Sequence, residues 1–315
     1  MQKTARVIVV LGTGGTIAGT SAVAGDNVGY TAAQLGVAQL VAAVPELAQQ
    51  TLECEQVAQL DSKDMGFAVW RALAVRAAHH LARDEVAGIV VTHGTDTLEE
   101  TAYLLHRVLA PAKPLVLTAA MRPATSLQAD GPQNLLDAVR VAGHAGVQGV
   151  LVVANGQLHG AREVRKAHTY RLDAFDSGDA GPLGVIEEGQ LRLWRGVRAE
   201  PAVGLQWLPA EEAAWPQVEI VTSHAGASGA LVRAACELGV QGLVVAATGN
   251  GTLHHALEDA LLEAQAQGVT VWRSSRCGNG RVIEGADDAL PSAGDLTPVK
   301  ARVELMLQLL KPPSA

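Results

Sequence analysis

Short apolar runs rich in Val, Leu and Ile alternate along this chain with longer segments whose apolar positions recur every three or four residues. The runs at 7–11, 88–92, 114–120, 150–154, 219–223, 243–247 and 269–272 are bounded by Gly or polar residues. Runs of this length suit strands buried on both faces. Periodic, alanine-rich segments near 32–44, 65–82, 98–109, 132–145, 228–238 and 252–267 read as helices between them. A last helix is expected near 298–310, because Pro298 directly after Thr297 is favoured at a first helical position. Strands alternating with helices predict an α/β architecture with a mainly parallel sheet.

The pattern lapses between 173 and 217, where Gly, Pro and Trp break any periodicity and Pro209 and Pro216 precede the next strand. This stretch reads as hairpins followed by a linker. The expected organisation is a larger N-terminal α/β domain over 1–195 carrying both candidate turns described below, a linker over 196–216, and a smaller C-terminal α/β domain over 217–315. A chain of 315 residues fits two domains at about 100–200 residues each.

Composition narrows the classes. With 48% apolar and 18% charged residues the chain is globular, not disordered. A net charge of −8 lacks the basic field that nucleic acid or an anionic membrane would need. No apolar run reaches the roughly 18 residues of a membrane span. Lys3 and Arg6 precede an apolar stretch too short for a leader, so it reads as the first strand. The expected compartment is the cytoplasm, or the periplasm if a leader has been removed. Cys54, Cys236 and Cys277 form no CxxC pair, and the ten histidines include no HExxH. Adjacent pairs such as His79-His80 and His254-His255 face different ways on a helix. Neither a metal nor a cofactor is expected.

In an open parallel sheet ligands bind at the carboxyl ends of the strands. After the first strand comes Gly12-Thr13-Gly14-Gly15-Thr16-Ile17-Ala18-Gly19, and after the strand near 90 comes Thr92-His93-Gly94-Thr95-Asp96-Thr97. The first turn is not a dinucleotide fingerprint, because Ile17 stands where its last Gly belongs. It is not a phosphate loop either, because Thr20 stands where the Lys belongs. In the second turn Thr97 and Glu100 fit a helix capping box, which leaves Thr95 and Asp96 unexplained. Thr16 and Thr95 are therefore the candidate nucleophiles. A threonine hydroxyl needs a base, and Lys166 can serve if desolvated. Tyr30 lies in a Gly-, Ala- and Asn-rich stretch over 21–30 that suits a lid. A serine-hydrolase elbow is absent around Ser228.

At these residues the chain resembles the bacterial L-asparaginases, more the type II than the type I branch. The first turn matches the family's TGGTIAG signature and 92–101 (THGTDTLEET) its second. Met121-Arg122-Pro123, Ala129-Asp130-Gly131-Pro132, Asn134, Gly249-Asn250-Gly251 and Arg273-Ser274-Ser275-Arg276 match further. The resemblance spans 6–304 and implies a homotetramer of intimate dimers with active sites at the dimer interface. It implies hydrolysis of L-asparagine to L-aspartate and ammonia through an acyl-threonine, without a cofactor. Thr16 then resembles the nucleophile with Tyr30 as its activating neighbour, and Thr95, Asp96 and Lys166 resemble a second triad. Ser62 resembles the binder of the substrate's α-carboxylate, while Asp96 also takes the α-ammonium. Backbone N–H groups of Gly15 or Thr95 would face the oxyanion. Asn250 and Glu284 resemble contributions from the neighbouring subunit. Type II relatives carry a glutamine after the serine, whereas this chain has Lys63. That lysine either opposes the substrate's ammonium or turns to solvent or to an acidic neighbour such as Asp64. Two rivals to this reading are a glutaminase-asparaginase, since glutamine differs by one methylene, and a non-catalytic amino-acid-binding module on the same fold.

Overall fold

A computed structural model describes residues 6–23, 25–286 and 288–311. The chain divides into two compact units, one ending at Leu205 and the other beginning at Gln206. In the first unit the order is β1 (Val7–Gly14), α1 (Val37–Ala42), β2 (Leu52–Leu60), α2 (Phe67–Leu81), β3 (Val86–Thr92), α3 (Leu98–Leu109), β4 (Pro114–Thr118), α4 (Gly131–Ala142) and β5 (Gly149–Ala154). Short strands follow: β6 (Gln157–Gly160), β7 (Arg165–Lys166), β8 (Phe175–Asp176), β9 (Gly184–Glu187) and β10 (Gln190–Leu193).

Eight of these strands form one sheet in the order β10-β9-β6-β5-β4-β3-β1-β2. The five from β2 to β5 are parallel, and β6, β9 and β10 extend the sheet antiparallel. Val9, Val10, Leu11, Ile89, Val90, Val91 and Leu115 are fully buried, as expected of strands covered on both faces. Ile8, Val10, Val90, Val116 and Leu151 share one core with Val37 and Leu40 of α1 and with Leu135 and Val139 of α4. Alternation along the strands turns the intervening residues to the other face, where α2 and α3 pack.

The parallel part reads β2-β1-β3-β4-β5, and its order reverses between β1 and β3. A doubly wound sheet opens its ligand crevice at that point, outside the carboxyl ends of the two strands. Both candidate turns leave the sheet there.

The second unit has a three-stranded parallel sheet, β11 (Val218–Thr222), β12 (Gly242–Ala247) and β13 (Thr270–Ser275), in that order. Its helices are α5 (Ala230–Glu237), α6 (His255–Ala266) and α7 (Pro298–Leu309). Leu243, Val245, Leu257, Leu261 and Val271 form its core. The architecture is thus α/β in both units, with the larger sheet first.

Several details differ from the sequence pattern. Strand β1 continues through Gly14 into the turn. Helix α1 starts at Val37 instead of near 32, because Thr20 and Thr31 exchange two backbone hydrogen bonds of 2.9 Å and keep the approach extended. Strand β2, at the sheet edge and half-open to solvent, forms without the β-branched run that marks the buried strands. Thr97 is the N-cap of α3, but its side chain does not cap the helix. Its hydroxyl instead donates to the Ser62 carbonyl at 2.8 Å, so the capping-box reading fails at that residue. Among the described residues no helix is long and apolar enough to cross a membrane.

Candidate active site

The turns after β1 and β3 touch through glycines. Gly15 has φ 82°, and a Cβ there would run into the Cα and N of Gly94. A Cβ on Gly94 would in turn meet the side chain of Ser62, which follows β2. Three strand ends are thereby drawn together, and the residue after each glycine is a buried threonine, Thr16 and Thr95.

Each threonine has a partner suited to moving its proton. Thr16 Oγ1 and Tyr30 Oη share a hydrogen bond of 2.6 Å. The ring of Tyr30 lies over Gly19, and the exchanged bonds between Thr20 and Thr31 fix the chain beside it. On the other turn Lys166 Nζ donates to Thr95 Oγ1 at 2.8 Å and to Asp96 Oδ1 at 2.6 Å. Thr16, Tyr30 and Gly15 thus form one cluster, and Thr95, Asp96, Lys166 and Ser62 a second cluster against it.

Ser62 is buried, and its Oγ accepts the Asp96 N–H at 3.2 Å. Lys63 Nζ is 3.0 Å from Asp61 Oδ2 with its side chain 64% exposed, so the acidic neighbour it engages is Asp61, not Asp64. The hydrogen bond and charge of Asp61, then the charges of Asp64 and Asp96, hold this ammonium above the ordinary lysine range. The Gly15 N–H donates to the Leu60 carbonyl at 2.9 Å, which corrects its expected place as an oxyanion donor. The Thr95 N–H has no such partner among the described residues. Burial keeps the His93 ring neutral, with its pKa down at about 4, and its Nδ1 bonds the Gly94 carbonyl at 2.7 Å.

Supporting contacts extend outward. The Asp130 carboxylate accepts from the backbone N–H groups of Met121 and Arg122 and from Asn134 Nδ2, and burial raises its pKa against those donors. Arg122 stacks on Tyr170 with its guanidinium 4.0 Å from the ring centre. The Ala124 N–H bonds the Gly19 carbonyl and the Ser21 N–H bonds Thr125 Oγ1, which moors the segment leading to Tyr30. Glu99 joins the site, although nothing in the sequence pattern marks it. Its Oε1 accepts the N–H of Lys166, 67 positions further along the chain, at 3.1 Å, a partner that no local spacing signals.

In the second unit Asn250 bonds both polar atoms of the Ile283 backbone, from Nδ2 at 3.0 Å and to Oδ1 at 2.7 Å. Next along the chain, Glu284 Oε1 accepts the Ser292 N–H at 2.6 Å. Among the described residues no group of three or more His, Cys, Asp and Glu side chains is arranged to hold a metal ion.

Fold and site define a two-unit α/β protein with paired threonine hydroxyls at a topological switch point. The chain belongs to the asparaginase family. The family model described as asparaginase, N-terminal, matches residues 7–198, and that of the glutaminase/asparaginase C-terminal domain matches 217–314. It is 40% identical to L-asparaginase 2 of Bacillus subtilis over 310 residues, covering 96% of this chain and 82% of that one. It is 39% identical to a glutaminase-asparaginase of Pseudomonas fluorescens over 313 residues, covering 96% and 86%. The crystal structure of a probable cytoplasmic L-asparaginase from Campylobacter jejuni superposes with a TM-score of 0.91 at 38% identity, over 98% of this chain and 96% of that one.

Proposed function

We propose that this protein hydrolyses the side-chain amide of L-asparagine to L-aspartate and ammonia, with a lesser action on L-glutamine. The observation that carries the reading is the pair of buried threonines, each bonded to a proton-handling partner, where the strand order reverses. Membership of the asparaginase family supports the substrate class.

Thr16 Oγ adds to the amide carbon while its proton moves toward Tyr30. That proton passes on through the Tyr30 hydroxyl to the amide nitrogen, which departs as ammonia and leaves an ester on Thr16. Water then adds to the ester carbonyl, aspartate leaves, and the Thr16 hydroxyl is restored. Splitting the hydrolysis this way replaces one slow attack by two easier ones. The Thr95 N–H faces the developing oxyanion, a donor typically worth about 3–4 kcal/mol. Lys166, held between Thr95 and Asp96, supplies or removes the proton on that side. Ser62 binds the α-carboxylate and Asp96 the α-ammonium. Glutamine is the second substrate because one methylene separates the pair by only about 1–3 kcal/mol, and the relatives include glutaminase-asparaginases.

The proposed assembly is a homotetramer of intimate dimers in which Glu284 completes a neighbour's site. Asn250, with its amide spent on Ile283, acts there by holding the Glu284 segment. The proposed compartment is the cytoplasm, in keeping with three cysteines that are free thiols.

Ammonia release on asparagine and glutamine, measured side by side, tests the function. Turnover with asparagine faster than with glutamine is expected. Thr16→Ala should fold normally yet lose at least about a thousandfold in kcat, as nucleophile removals do. A variant keeping a tenth of kcat would remove Thr16 from the mechanism.

A further inference from the structure

We infer that Glu99 is a positioning residue for Lys166, acting through the lysine's backbone and not through its charge. The inference rests on the reading of Lys166 as the working partner of Thr95.

Glu99 occupies the first turn of α3, where an acidic residue would ordinarily be read as complementing the helix dipole. Here its carboxylate reaches to a different element. Oε1 accepts the N–H of Lys166, a residue 67 positions further along the chain, at 3.1 Å. The strand that carries Lys166 needs such a tether, because β7 is two residues long and, among the described residues, pairs only with β8. On its β8 edge the ribbon is held by the pairing of Lys166 with Phe175, by the Ala167 N–H on the Ala174 carbonyl at 2.7 Å, and by the ion pair of Arg165 with Asp176 at 2.7 Å. Glu99 holds the Lys166 backbone through the N–H that this ladder leaves over.

A closed loop of contacts results. The turn after β3 presents Thr95 and Asp96, the helix that begins two residues later presents Glu99, and Glu99 fixes the backbone from which the Lys166 stem departs. Its ammonium then returns to Thr95 Oγ1 and Asp96 Oδ1 at 2.8 and 2.6 Å. A lysine stem is long and flexible, so two bonds at its tip hold one geometry only when its root is fixed. Displacing a catalytic group by about 1 Å can cost roughly a hundredfold in rate.

Steady-state ammonia release on asparagine tests this with Glu99→Met, which keeps size and helix propensity but accepts nothing, with the smaller Glu99→Ala, and with Glu99→Gln, which keeps the acceptor oxygen. Met and Ala should lower kcat about 10- to 100-fold with KM within twofold, and Gln should recover most of kcat. In the unsubstituted protein the Lys166 amide should be protected from hydrogen exchange as strongly as the Ala167 amide. Unchanged kcat in Met and Ala, a Gln variant as slow as Met, or a freely exchanging Lys166 amide each overturns the inference. Lys166→Met is the control: an active Lys166→Met protein would remove the reading of Lys166 itself, whereas an inactive one beside normal Glu99 variants removes only the tether.

Discussion

Position 63 is where this chain departs from the type II pattern, and the geometry there predicts a muted consequence. A free ammonium beside the substrate's own would weaken binding in both ground and transition state, raising KM without touching kcat. Lys63 is instead paired with Asp61 and mostly in solvent, where water and salt screen what remains. Lys63→Gln is therefore expected to lower KM for asparagine by less than twofold. Asp61→Asn, which frees the ammonium, should raise KM several-fold, and the double variant should return to the parent value. A large fall in KM for Lys63→Gln alone would show that the lysine does face the substrate. At this scale the sequence was most informative where residue type carries chemistry. Thr16, Thr95, Asp96 and Lys166 are legible as hydroxyls, an acid and a base, whereas the bonds of Lys166 to Thr95 and Asp96 at 2.8 and 2.6 Å, and that of Thr16 to Tyr30 at 2.6 Å, come from the fold. What stayed hidden was the destination of each hydrogen bond. The Gly15 amide, the Thr97 hydroxyl and the Glu99 carboxylate all bond residues more than 30 positions away, and no local pattern encodes such a partner.

At the scale of elements, the site depends on how closely the turns after β1 and β3 approach. Gly15 makes that approach with no side chain and at φ 82°, ψ −173°, a region open essentially to glycine alone and costing other residues about 1–3 kcal/mol. In Gly15→Ala the new methyl would meet Gly94 backbone, which cannot yield as the end of a side chain can. The variant should melt several degrees lower and lose at least about a hundredfold in kcat as Thr16 and Thr95 are pushed apart. Thermal unfolding with ammonia release checks both, and a fully active Gly15→Ala would show that the contact does not set the site. Strands buried on both faces were legible in their apolar runs, and so were the helices with a sharp apolar stripe. Edge elements were not. Strand β2 has a half-buried pattern without β-branched continuity, and β6 to β10 are two to four residues each, too short for any periodicity to register. The lapse over 173–217 takes in the hairpin of β9 and β10, while that of β5 and β6 lies before it.

The whole molecule raises the question of where a site ends. Thr16, Tyr30, Thr95, Asp96 and Lys166 belong to the first unit, while Asn250 and Glu284 belong to the second. The turn that holds Glu284 is braced as a functional loop would be, by Asn250 on one side and by the Ser292 N–H on the other. If the second unit of one copy completes the first unit of another, then defects in the two units must complement each other. On that reading, homo-oligomers of Thr16→Ala would lack the proposed nucleophile at every site, and those of Glu284→Ala would lack the carboxylate at every site. In a mixed dimer related by a two-fold axis, one of the two sites receives Thr16 and Glu284 together. Random re-pairing of an equal mixture places half the protein in mixed dimers, each with one intact site, so refolded mixtures should recover roughly a quarter of the parent activity. The measurement is ammonia release after co-refolding, with native mass spectrometry of mass-tagged variants to establish that mixed oligomers have formed. Mixed oligomers as inactive as their parents would confine each site to a single chain.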